Sequence, residues 1–175
     1  LYAPKGVGAL FVRRGIALEP VLHGAGHEGG LRAGTENVAS IVGLGRAAQL
    51  AGKCLQESSE RLALLRDRLL ERLQAEIGPE LMVHGEFAPR LPNTLSISFP
   101  RVAGEELLAR IPEICASTGA ACHHHSSAMS STLAAIGLGI EDARGAVRLS
   151  VGWYTTDEEI ERAANLLIAG WEDLR

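Results

Sequence analysis

Lysine is nearly missing from this chain: Lys5 and Lys53 stand against fifteen arginines in 175 residues. There is no basic block and the formal net charge is −4, so a nucleic-acid backbone finds no electrostatic footprint. No apolar run reaches the roughly 18 residues that a membrane-crossing helix needs. The first residues lack a basic region followed by an apolar stretch, so no secretory signal is visible. Cysteine is sparse as well. Cys54, Cys115 and Cys122 follow no regular spacing, which argues against a disulfide framework and for a reducing, cytoplasmic setting.

What is present is enough for a folded core. The chain is 46% hydrophobic and 22% charged, and its length suits one ordinary domain or a small domain carrying part of another. It opens at Leu1 without a methionine, directly in LYAPKGVGALFVRR, which reads as a turn feeding a strand and suggests a truncated chain.

Residues 6–13 form a short β-rich run behind a Pro-Lys-Gly turn, which predicts a strand. The glycine-dense stretch 23–35 predicts an irregular loop, with Thr35 placed to cap a helix over 36–52. Leu62, Leu65, Leu69, Leu73 and Ile77 recur at three- and four-residue spacing, so 57–77 is an amphipathic helix stopped by Gly78-Pro79. Strands are expected at 81–84, 94–99, 113–117 and 146–151, and helices at 102–110 and near 129–136. Thr156 and Glu159 have capping-box spacing and open a last helix with Ile160, Ala164, Leu167 and Trp171 on one face. Past about residue 55 the elements mix without a βαβ rhythm, which predicts an α+β layer: an antiparallel sheet with helices on one side.

Four features carry chemistry. Cys122 follows the small residues Ser117-Thr-Gly-Ala-Ala and precedes His123, His124 and His125. A thiol on a polar loop beside imidazoles is a candidate nucleophile, whereas Cys54 and Cys115 lie in apolar, periodic contexts. A surface cysteine without a role is the plain alternative. A built metal site is disfavoured, because sequential neighbours point apart while zinc ligands are spaced by a few residues. The loop ending Arg32-Ala-Gly-Thr35 at a helix start suits an anion, or is a simple connector. Arg148, among the apolar residues of AVRLSVG, needs either an acidic partner or a substrate carboxylate in a bidentate fork.

Taken in order, APKGVGALFVRR, LHGAGHEGGLRAGTENVASIVGLGRA, LPNTLSISF, STGAAC, STLAAIGL and VRLSVGWYTTDEEIE form a series that resembles the cysteine desulfurase and selenocysteine lyase family. That family belongs to the class V aminotransferase group of fold-type I enzymes, which use pyridoxal 5'-phosphate. The resemblance implies that Cys122 accepts the sulfur as a persulfide. It implies too that Arg148 grips the substrate carboxylate and that Thr35 contacts the cofactor phosphate, reaching into a neighbouring subunit. It further implies an α/β chain in which 1–54 close the large cofactor-binding domain and 55–175 form the small C-terminal domain.

The implied reaction takes sulfur from L-cysteine, or selenium from L-selenocysteine, and leaves alanine. The implied enzyme is a homodimer, with a sulfur-acceptor protein as partner in iron–sulfur cluster biogenesis. The family's Schiff-base lysine falls just before Leu1, and Lys5 belongs to the Pro-Lys-Gly turn, so the chain alone is expected to be inactive. Ala25 and His27 replace the usual glycine and glutamine of the loop. Competing readings are another class V aminotransferase, a non-catalytic module that dimerises or carries sulfur, and a metal-binding protein using the Cys-His run. No role is assigned to the three histidines.

Overall fold

The computed structural model describes residues 1–118 and 130–175. It divides into two compact units, Leu1–Gln56 and Glu57–Arg175.

The first unit is built mostly of turns, with a single 3-10 turn at His27–Gly30 and the first part of helix α1 (Val38–Ile77). Residues 6–13 form no strand, contrary to the sequence expectation. Their β-rich composition is real, but a strand exists only where a neighbour pairs with its backbone, and none does so among the described residues. Leu10 and Phe11 are consequently 79% and 90% exposed. The two helices expected at 36–52 and 57–77 are one helix of 40 residues. Its internal glycines each cost roughly 1 kcal/mol relative to alanine, yet no proline interrupts the hydrogen-bond ladder, so the helix runs through. Gly43 has a packing reason, because a Cβ there would lie 2.8 Å from Pro4 Cγ.

The second unit holds a three-stranded antiparallel sheet, ordered β1 (Met82–Val83), β2 (Thr94–Ser98), β3 (Ala146–Ser150). Helices α2 (Gly104–Arg110), α3 (Ser131–Ala135), α4 (Ile140–Arg144) and α5 (Asp157–Leu174) complete it. Helix α4 has no counterpart among the sequence expectations, and the strand expected at 113–117 reduces to one bridge between Ser117 and Arg148. The Thr156 box forms as expected: its hydroxyl accepts from Glu159 N–H at 3.2 Å, and the Glu159 carboxylate accepts from Thr156 N–H at 2.9 Å.

Alternation along the strands separates two faces. Leu95, Ile97, Val147 and Leu149 are buried with Leu69 and Leu73 of α1, Leu107 of α2, and Ile160, Leu167 and Trp171 of α5. The long helices thus cover the apolar face. Thr94 opposite Ser150 and Ser96 opposite Arg148 make the other face polar, and there Ser98 Oγ donates to the Asp142 carbonyl of α4. Close packing holds α4 to the sheet: Phe99 N–H donates to Gly145 O at 3.0 Å, and a Cβ on Gly145 would collide with Phe99 O.

Candidate active site

Thr35 stands exposed two residues before Asn37, and it is Asn37 that caps α1, accepting from Ser40 N–H at 3.2 Å. This corrects the expectation that Thr35 is the N-cap. Both residue types cap well, and the loop simply closes two residues later. The consequence favours a site, since the Thr35 hydroxyl is not spent on the helix. The loop before it is glycine-built in fact: Gly24, Gly29, Gly30 and Gly34 all have positive φ, a region that other residues enter at a cost. Gly34 N–H donates to His27 Nδ1 at 3.3 Å, and Arg32 folds back to donate to Ala33 O at 2.7 Å. No acidic residue occupies the first turn of α1, although Glu36 stands just before the Asn37 cap, so the positive end of the helix faces one carboxylate from the loop.

Arg148 lies on the polar face of β3 and is exposed, not buried among its apolar sequence neighbours. Its main chain is tied to Ser117, with Arg148 N–H donating to Ser117 O at 2.7 Å. Among the described residues its guanidinium enters no ion pair. The structural-pair reading of Arg148 therefore has no partner there. The side chain borders a cavity of about 130 Å³ shared with Ser96, Thr118, Ser130, Thr132 and Leu133. Four hydroxyls and one guanidinium make a small pocket of anion-binding character.

Cys122 and His123–His125 lie outside the described residues. In sequence they fall between Thr118 and Ser130, both of which line the Arg148 cavity. Cys115 is exposed, so the expectation of an apolar context does not hold for it, while Cys54 is half-buried. No cluster of potential metal ligands occurs among the described residues, and no helix there is long and apolar enough to cross a membrane.

Sequence reasoning missed His84. Its ring is buried, with Nδ1 2.9 Å from Ser96 Oγ and Nε2 2.9 Å from Ser98 Oγ. The alternation of Leu95-Ser96-Ile97-Ser98 was the available signal, because it places both serines on one face. Burial pushes the imidazole below its ordinary value, and Asp142 opposes that in part. A histidine so depressed is neutral in the fold where the unfolded chain would bind a proton. Its contribution to stability is therefore complete above the free imidazole value of 6.5 and is lost as pH falls from there toward the lower folded value. We expect the urea midpoint of the chain to fall over that acid range, and His84→Phe to flatten this component. An unchanged profile in the variant would show that other groups set it.

The family model for class-V aminotransferases matches residues 1–163. The chain belongs to the class-V aminotransferase family. It is 43% identical over 177 residues to a cysteine desulfurase of Nostoc sp., covering all of this chain and 44% of that protein. It is 44% identical over 177 residues to the cysteine desulfurase IscS of Haemophilus influenzae, covering all of this chain and 43% of that protein. Among solved structures, a NifS-like protein superposes with TM-score 0.78 at 34% identity, over 98% of this chain and 43% of that one. SspA in complex with cysteine superposes with TM-score 0.56 at 31% identity, over 89% of this chain and 42% of that one. The chain thus spans less than half the length of the curated relatives it matches. Members of the family depend on pyridoxal phosphate. The residues present would fit one edge of that cofactor: the exposed Thr35 hydroxyl, three residues before a long helix, would suit its phosphate. Lys5 in a turn and Lys53 on α1 are both exposed.

Proposed function

We propose that this chain provides the carboxylate grip, the phosphate-side hydroxyl and the sulfur-accepting cysteine of a pyridoxal-phosphate-dependent cysteine desulfurase. The observation that carries the reading is Arg148, exposed beside a hydroxyl-lined cavity and free of any acidic partner among the described residues. Residues 1–54 are the end of the large cofactor domain and 55–175 the small domain.

When bound, pyridoxal phosphate supplies an electron sink for bond cleavage at the substrate amino acid. Thr35 donates to its phosphate. Arg148 holds the substrate carboxylate through two parallel N–H···O bonds, which fixes orientation as well as affinity. The Cys122 thiolate attacks the substrate sulfur; an S–S bond forms, the C–S bond breaks, and the products are alanine and a Cys122 persulfide. That persulfide then passes to an acceptor protein. The functional unit is a homodimer in the cytoplasm, with Thr35 serving the neighbouring subunit's cofactor. The exposure of Phe11 and Val21, each 90%, supports further protein surface covering the first unit. Selenocysteine is not favoured as substrate, because the Nostoc and Haemophilus relatives are named for cysteine.

The test is alanine formation from L-cysteine by the holoenzyme containing these residues, together with cofactor retention. Thr35→Val removes a hydrogen bond to a charged group and is expected to weaken pyridoxal phosphate binding about tenfold by equilibrium dialysis. Unchanged retention would remove Thr35 from the phosphate site.

A further inference from the structure

The hydrogens of the His84 network can be assigned by elimination. The Asp142 carbonyl only accepts, so Ser98 Oγ must donate to it. With its hydrogen committed, Ser98 Oγ accepts from His84 Nε2–H at 2.9 Å. Nδ1 of the neutral ring is then bare and accepts the hydroxyl hydrogen of Ser96, also at 2.9 Å. Ser96 stands opposite Arg148 in the β2–β3 ladder and lines the same cavity. While its hydrogen is turned to His84, the Ser96 oxygen presents only lone pairs to that cavity, which suits a guanidinium and repels a carboxylate.

A second proton on the ring inverts this arrangement. Nδ1–H becomes the donor, Ser96 Oγ accepts from it, and the hydroxyl hydrogen is released. We propose that His84 is a positioning residue for the Arg148 cavity, setting through Ser96 whether that wall accepts or donates, so that an imidazolium adds a donor for a bound carboxylate. The inference rests on the reading of Arg148 as the carboxylate site. Among the described residues Asp142 of α4 is the charged group felt by the ring, and it favours the imidazolium. Arg148 of β3 stands beyond Ser96, and its charge is offset once a carboxylate is bound. Binding and protonation therefore assist each other, and by linkage each strengthens the other equally.

The experiment follows the His84 ring resonances of the full chain by NMR across pH, with and without saturating L-alanine as the carboxylate probe. Wild type is expected to show its His84 midpoint raised by L-alanine by roughly half a unit to one unit, the size of one hydrogen bond gained only by the protonated form. Ser96→Ala, which cannot relay, is expected to bind L-alanine with no such rise. L-alanine that binds in an Arg148-dependent way while the His84 titration stays put in wild type overturns the inference and leaves the carboxylate reading intact. L-alanine binding that is absent, or indifferent to Arg148→Ala, overturns both.

Discussion

Replacing Arg148 by alanine is expected to lower kcat/KM for L-cysteine by roughly 30- to 150-fold, mostly through KM. That range corresponds to about 2–3 kcal/mol, the worth of a bidentate, charge-assisted grip on a carboxylate when the guanidinium is removed. Stability is expected to change little, because Arg148 is exposed on the polar face of β3 and enters no ion pair among the described residues. That separation gives the experiment its value: a buried structural arginine would lose folding and activity together. Arg148→Lys keeps the charge but not the planar fork, so it is expected to fall between wild type and alanine. Equal KM in all three proteins would return Arg148 to a role outside substrate binding.

Cys122→Ser is expected to reduce alanine formation from L-cysteine by roughly a thousandfold or more while leaving substrate binding in place. In the proposed site the substrate carboxylate is held by Arg148 and the cofactor phosphate by Thr35, so KM-type behaviour is expected to survive. Sulfur transfer needs a soft thiolate, and a hydroxyl of far higher pKa cannot replace it. Cys54→Ser and Cys115→Ser provide the controls. Cys115 is exposed and Cys54 half-buried on α1, so turnover is expected to persist in both. Near-normal desulfuration by Cys122→Ser would rule out Cys122 as the nucleophile.

Where local pattern decides structure, the sequence is readable. The Leu65-Leu69-Leu73-Ile77 stripe, the Thr156 box and the alternation in β2 and β3 each depend on residues a few positions apart, and all are found in place. Where structure depends on distant partners, it is not. Residues 6–13 have strand composition, but composition supplies no neighbouring backbone. The sequence neighbours Val147 and Leu149 make Arg148 look buried, whereas the two-residue period of a strand puts it on the opposite face from both. His84 escapes notice because its meaning comes from Ser96 and Ser98 on β2 and Asp142 on a helix. The role given to Cys122 comes from family resemblance, and the fold adds only that its flanking residues Thr118 and Ser130 border the Arg148 cavity.

The most direct test of sulfur transfer through Cys122 is to locate the transferred atom. The holoenzyme is given L-cysteine, quenched with an alkylating reagent and mapped by peptide mass spectrometry. Cys115 and Cys122 have no lysine or arginine between them and share a tryptic peptide, so fragment ions assign the atom: one added sulfur is expected on Cys122, and none on Cys54 or Cys115. Added sulfur on Cys54 or Cys115, or full turnover with none on Cys122, would contradict the proposed role.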